Sequence, residues 1–272
     1  MLAAMGIDIS VVIPTFRRPA LLADALASAL AQEGVSLEIV VVDDSPEGSA
    51  EAVVSALGDA RVRYVKMETP SGGCPGQVRN VGWPLTTGRL VHFLDDDDRL
   101  EPGHYLAMKR AFDDNPDVGV VFSRLEPFGD EKVMAHERGY FRQAAASAKK
   151  TARLGRKLGY VARILFEPTM IVCGVSTLRR ECLERAKGFD PRIKVGEDID
   201  LMLRIIRDSG ALYVDRVAIH YRVDGTSMAH SEKAKVDVLE TYAIMHRSYR
   251  EARGALEFYA LKVLAKSALR FI

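Results

Sequence analysis

The chain is poor in cysteine. Three residues, Cys74, Cys173 and Cys182, are scattered and odd in number, which excludes a disulfide framework, and no Cys-x-x-Cys pair offers zinc ligands. Scarce cysteine fits a reducing compartment, so a cytoplasmic protein is expected. It also lacks an excess of either charge. Lys and Arg number 38 against 37 Asp and Glu, and a net +1 excludes a protein built mainly to bind nucleic acid. No apolar run approaches the roughly 20 residues of a spanning helix. The opening MLAAMGIDIS is too short and polar for a signal peptide. A soluble protein, or one resting on the inner face of a membrane, is therefore expected. No internal repeat or low-complexity segment is found. The one glycine-rich stretch, Ser71 to Asn80, is neither Gly-x-Gly-x-x-Gly nor a Gly-Lys-Ser/Thr phosphate loop, so a dehydrogenase or NTPase is poorly supported.

Hydrophobic residues make up 48% and charged residues 28%, enough to bury a sizeable core within 272 residues. Apolar runs alternate with helical patterns through the first 125 residues. Strands are expected at Ile9–Pro14, Leu37–Val42, Arg61–Lys66, Arg89–Leu94 and Val118–Phe122. Helices are expected at Pro19–Gln32, Ser49–Leu57, Gly76–Thr86 (ended or bent by Pro84) and Pro102–Asp114. Further on, a mixed strand over Met170–Leu178, short helix 180–186, helix 197–208, two short strands near 211–222 and a helical tail from about Ser231 complete the pattern. Alternation of this kind builds βαβ units and a mostly parallel sheet. Ligands in such sheets bind beyond the carboxyl ends of the strands. Three polar clusters fall there: Thr15–Arg18, Asp43–Ser45 and Asp95–Asp98.

Four consecutive carboxylates, Asp95 to Asp98, repel one another and call for a cation. Their hard oxygens suit Mg²⁺ or Mn²⁺, ions that take one or two protein carboxylates and complete their shell with water and substrate phosphate. The bland alternative is an acidic turn capping the next helix. Asp43 and Asp44 follow a buried strand and could accept from ribose hydroxyls or a nucleobase N–H, or simply form an Asx-turn. Arg79 could reach phosphates bidentately, or be a surface arginine of an ordinary loop. Glu197-Asp198 opens an amphipathic helix, where acids are common because of the helix dipole; alternatively Asp198 is a general base.

Taken together, five segments carry a resemblance: VVIPTFRRP, VVVDDSPEGS, the glycine-rich stretch ending Arg79-Asn80-Val81-Gly82, FLDDDD followed by Pro102, and GFDPRIKVGEDIDLMLR. In order and spacing the chain resembles the inverting glycosyltransferases of family 2, over about residues 8–225. The resemblance implies a GT-A fold: a mostly parallel sheet with flanking helices, a nucleotide-sugar-binding half (1–125), a smaller acceptor half (126–225) and a C-terminal helical extension (226–272). It implies that Pro14, Thr15, Arg17 and Asp44 line a nucleobase pocket with Asp43 nearby, and that Arg79 lies beside the nucleoside or diphosphate. Asp97 would be the metal ligand, with Asp95 or Asp96 on the ribose and Asp95 also a metal candidate. Asp198 matches the catalytic base. Relatives often follow Tyr-Arg with a His two residues on; here Asp224 takes that place and His220 is the nearby imidazole.

The implied activity is transfer from a nucleotide-diphosphate sugar, UDP-sugar before GDP-sugar, to a glycan, lipid-linked or small-molecule hydroxyl, as in surface-glycan synthesis. Two other classes were weighed: a sugar-nucleotide nucleotidyltransferase, which would carry a Gly-rich loop after the first strand, and a non-catalytic nucleotide- or sugar-binding module. The stretch 138–166 has eight basic residues and no acid, and Lys262, Lys266 and Arg270 lie four apart, on one helical face. Both read as peripheral membrane contacts, or in the tail as a face packed on the domain or on a second copy.

Overall fold

The computed structural model describes residues 6–167, 169–223 and 232–269. The first strands are β1 (Ile9–Thr15), β2 (Leu37–Asp43), β3 (Val62–Lys66) and β4 (Leu90–Phe93). Between them lie α1 (Pro19–Leu30), α2 (Glu51–Leu57) and α3 (Pro75–Gly82). These strands pair in parallel, with β1 flanked by β2 and β4. The chain thus winds outward from β1 to β3 and returns to the other side of β1. That reversal opens a crevice at the carboxyl ends of β1 and β4. Pro84 acts as expected: α3 stops before it, and Trp83–Leu85 form a 3-10 turn.

The second half adds β5 (Arg99–Leu100), α4 (His104–Asp114), β6 (Val120–Gly129), β7 (Ser176–Arg179) and β8 (Ala211–Val223). The sheet order is β3-β2-β1-β4-β7-β6-β8-β5, with β7 antiparallel to both neighbours and β5 antiparallel to β8. The sheet is therefore mixed in this half. Two sequence expectations change. Residues 211–222 form one long strand, because β8 stays paired with β6 through two register shifts. The strand expected from Met170 begins only at Ser176, after a 3-10 turn at Cys173–Val175.

The basic stretch becomes α5 (Glu131–Ala152) and α6 (Leu158–Phe166). Part of its charge is used internally. Buried Arg163 donates to Thr151 Oγ1 at 2.9 Å, Lys149 pairs with Asp215 at 2.6 Å, and Arg156 pairs with Asp117 at 2.9 Å. The remaining helices are α7 (Arg180–Ala186), α8 (Glu197–Ser209), α9 (Glu232–Arg253) and α10 (Ala255–Leu264).

Alternate residues of β1 feed two cores, as strand geometry requires. Val11 and Ile13 pack with Leu22, Leu26, Tyr105 and Phe112 from α1 and α4. Val12 packs on the other face in a cluster that includes Leu201, Met245, Tyr249, Phe258 and Leu261. Helices α9 and α10 thus help to close the main core. No helix among the described residues is long and apolar enough to cross a membrane.

Candidate active site

The acids that the sequence singles out gather at the crevice. Thr15 sits beside Asp43 across the β1–β2 ladder, and β4 leads directly into Asp95. Thr15 Oγ1 donates to Asp96 at 2.7 Å, and Arg18 donates to Asp96 at 3.3 Å and to Asp97 at 2.8 Å. Burial raises the Asp96 carboxyl above its usual range, although the Thr15 hydroxyl and Arg18 oppose the shift. Asp97 is pushed up to about 6, first by burial and then by the charges of Asp95 and Asp96. Asp98 is buried, and burial followed by the charges of Asp95 and Asp97 raises its carboxyl; it accepts the Arg222 N–H at 3.0 Å and so ties β8 to the acidic turn.

Arg79 is carried to the same place by α3. That helix lies flat on the sheet because Gly82 has no side chain: a Cβ there would fall 2.5 Å from Val12 Cγ1. At the other end of α3, a Cβ on Gly76 would lie 2.9 Å from Glu197 Cγ and 3.1 Å from Phe189 Cβ. This glycine is needed for the close approach of α3 to α8. Arg79 then donates from one terminal nitrogen to Glu197 at 2.6 Å and from the other to Asp95 at 2.7 Å. Its guanidinium lies 5.6 Å from the Phe189 ring centroid. One buried arginine therefore joins the acidic turn after β4 to the start of α8, and its fork is occupied by protein carboxylates.

Asp198 follows Glu197 in the first turn of α8. Its Oδ2 accepts the Cys173 N–H at 3.3 Å and its Oδ1 accepts the Ile199 N–H at 2.8 Å. Burial raises its carboxyl, against the pull of Arg79 and these two amides, and Asp95 lies near enough to add to the rise. Burial and the Asp198 charge push Glu197 up to about 7. The first turn of α8 thus brings the Asp198 carboxylate within electrostatic reach of Asp95 in the acidic turn.

The other expected residues divide. Asp44 accepts both the Ser71 N–H at 2.6 Å and the Ser71 hydroxyl at 2.7 Å, which pins the glycine-rich stretch over the end of β2. Asp43 also serves the local structure: it accepts the backbone N–H groups of Ser45 and Ala50, each within 2.9 Å, and the Tyr64 hydroxyl at 3.2 Å. Pro14 is the penultimate residue of β1, just before Thr15. Arg17 is exposed, has a positive φ of 56° and pairs with Glu47 at 2.7 Å. His220 pairs with Glu101 at 2.7 Å. Asp224 lies outside the described residues, as do Arg270 and the last two positions. The sequence assigns Arg18 no role, counts Asp98 only as one of the four cation-seeking carboxylates, and does not reveal Glu197 as the partner of Arg79. The first two lie inside quoted motifs, but only the fold shows what they touch.

With this geometry in place, comparison with known proteins is decisive. The family model for Glycosyl transferase family 2 matches residues 10–185. The chain belongs to glycosyltransferase family 2. It is 29% identical over 216 residues to the succinoglycan biosynthesis protein ExoO of Rhizobium meliloti (strain 1021), covering 76% of this chain and 58% of ExoO. The chain thus spans under two thirds of that relative's length. Among solved structures it resembles S. aureus TarS 1–349 in complex with UDP-GlcNAc, with a TM-score of 0.64 and 19% identity over 88% of this chain and 66% of TarS. It also resembles the mannosyltransferase PcManGT of Pyrobaculum calidifontis in complex with GDP-Man and Mn²⁺, with a TM-score of 0.57 and 18% identity over 97% of this chain and 81% of PcManGT. These neighbours fix the fold as GT-A.

Among the described residues, no three His, Cys, Asp or Glu side chains form a ready-made metal cage. The acidic turn still fits a hard divalent cation. Its oxygens are of the right kind, and Asp97 is raised by like charges that Arg18 offsets only in part. An ion of the Mg²⁺ type needs only one or two such carboxylates when phosphate supplies the rest.

Proposed function

We propose that this chain moves a sugar from a nucleotide-diphosphate sugar, with UDP as the preferred nucleotide, to an acceptor hydroxyl with inversion at the anomeric carbon. The observation that carries this reading is the Arg79 bridge between Asp95 and Glu197, which brings the Asp198 helix and the acidic turn to one crevice. Mn²⁺ or Mg²⁺, held by Asp97 with Asp95 beside it, would neutralise charge on the departing diphosphate. Asp44 and Thr15 line the nucleobase side, and Asp96 faces the ribose. Asp198 takes the proton from the acceptor oxygen as that oxygen bonds to the anomeric carbon; the bond to the diphosphate breaks, and the leaving group keeps the electron pair. One base and one displacement give inversion.

The family and the printed role of ExoO support a place in surface-glycan or polysaccharide synthesis. The proposal extends to a peripheral membrane contact through the remaining charge of 138–166 and the exposed Leu256, Tyr259 and Val263 of α10. Division into a nucleotide-binding half, an acceptor half and a helical extension stands as part of the same reading.

Calorimetric titration with UDP and GDP, with and without Mn²⁺, followed by a donor-hydrolysis screen across UDP- and GDP-sugars, tests the assignment. Metal-dependent UDP binding and donor turnover are expected. Absence of metal-dependent binding of either nucleotide contradicts the reading.

A further inference from the structure

A pocket of about 730 Å³ opens between α5, α6, α9 and α10, and nothing in the donor chemistry uses it. Its walls are largely rings, among them Tyr140, Phe166, Tyr242 and Tyr259. Ile199, the residue after Asp198, also lines it. Helix α9 is fixed against the approach to α8, because the Thr241 hydroxyl donates to the Val195 carbonyl at 2.7 Å. The neighbouring Tyr242 hydroxyl lies close enough to Asp198 to feel its charge. The pocket therefore adjoins the first turn of α8, at the residue that follows the carboxylate proposed as base.

Two cations, Arg250 and Lys262, line it. Arg250 lies over the Phe258 ring at 5.4 Å and donates from Nε to the His246 carbonyl at 3.2 Å. Among the described residues neither Arg250 nor Lys262 has a carboxylate partner, and the lining holds one acid, Glu167. Apolar surface continues along the outer side of α10, where Leu256 is 88% and Val263 66% exposed. A ring-lined cavity, two cations without a carboxylate partner and an exposed apolar helix face thus lie together beside α8.

Resting on the transferase reading above, we infer that this pocket is the acceptor site and that its ligand is a lipid-linked diphosphate. The sugar ring would stack among the tyrosines with its hydroxyl toward Asp198. The diphosphate would meet Arg250 and Lys262, and the chain would lie along α10. Ligand pockets of this composition, mostly apolar with a few placed polar groups, orient amphipathic molecules of this kind. Guanidinium and ammonium groups over aromatic rings remain available to phosphate oxygens.

Calorimetry with farnesyl diphosphate as probe, in saturating UDP and Mn²⁺ so that the donor site is filled, tests this. The wild type should bind the probe more tightly than it binds inorganic diphosphate or farnesol. The double variant Arg250→Ala, Lys262→Ala alters only exposed positions and should weaken binding by about tenfold or more. Its UDP affinity and donor hydrolysis should be unchanged. Equal probe binding by wild type and variant overturns the proposal, as does inorganic diphosphate binding as tightly as the probe. Capture by phosphatidylglycerol vesicles without binding of the soluble probe also overturns it, in favour of a membrane surface. Failure of the transferase reading itself would instead appear in the wild type, as loss of UDP binding or donor hydrolysis.

Discussion

Arg79 donates to Glu197 at 2.6 Å across 118 positions of sequence, and its second terminal nitrogen holds Asp95. Both members of the Arg79–Glu197 pair are almost fully buried. Replacing a partner in such a pair leaves an uncompensated carboxylate in a dry site. Arg79→Met should therefore lower unfolding free energy by about 3–5 kcal/mol. Arg79→Lys should cost less, since it keeps the charge and loses the fork. Urea denaturation of both variants is the check, and an Arg79→Met midpoint equal to the wild type would remove the bridge from the account.

The approach of α3 to α8 gives a second prediction. A methyl group on Gly76 would press on Glu197 Cγ and Phe189 Cβ, at 2.9 and 3.1 Å. Gly76→Ala should destabilise by about 1–3 kcal/mol, the usual cost of overpacking. It should also shift the α8 terminus and reduce kcat while the affinity for UDP holds. Equal losses in both quantities would show that the glycine serves the donor site directly.

His92 sets a pH dependence of stability. It is fully buried, its Nδ1 accepts the Tyr105 hydroxyl at 2.9 Å and its Nε2–H donates to the Gly174 carbonyl at 3.1 Å, so the neutral ring is locked in place. Burial lowers its pKa from 6.5 to about 4. A histidine whose folded pKa is depressed contributes stability above the unfolded pKa and loses it as pH falls toward the folded one. Stability should drop by about 3 kcal/mol between pH 6.5 and pH 4 from this residue. His104, buried beside it and held low for the same reason, should steepen the fall. Urea midpoints of the wild type and His92→Gln at several pH values measure it, since the raised carboxyls of Asp97 and Glu197 act in the opposite sense in both proteins; parallel pH profiles contradict the assignment.

The first half of the sheet was legible because its signals are local. β-branched runs marked β1, β2 and β4, and the polar residues just beyond them had to fall on one rim once the strands were parallel. The acidic run and the Asp198 helix start were visible for the same reason. What stayed hidden depends on distant pairing. Nothing near Arg79 announces that its fork is taken by Asp95 and Glu197, and nothing near Asp43 shows that Ala50 and Tyr64 consume its oxygens. The long β8 read as two strands because its register shifts interrupt the alternation. The seating of α9 beside α8 and α6 depends on pairings far apart in sequence, Thr241 with Val195 and His246 with Leu165.

The cation proposed at the acidic turn implies metal-dependent nucleotide binding. Asp97→Asn should abolish the gain in UDP affinity that Mn²⁺ gives the wild type, and chelation of the wild type should have the same effect. Calorimetry with and without Mn²⁺ reads both. A variant that retains the full Mn²⁺ effect would move the cation to other ligands.

The most direct measurement is the single-turnover transfer rate of Asp198→Asn with donor and Mn²⁺ saturating, taken beside its UDP affinity. Loss of a positioned base should slow transfer by about 10²–10⁴ while UDP binding stays at the wild-type level. In the wild type, the rate should fall on the acid side at a pH above the ordinary aspartate range, because burial raises this carboxyl and the base must be ionised to act. A variant that transfers sugar at the wild-type rate would contradict the claim that α8 delivers the base to the acidic turn.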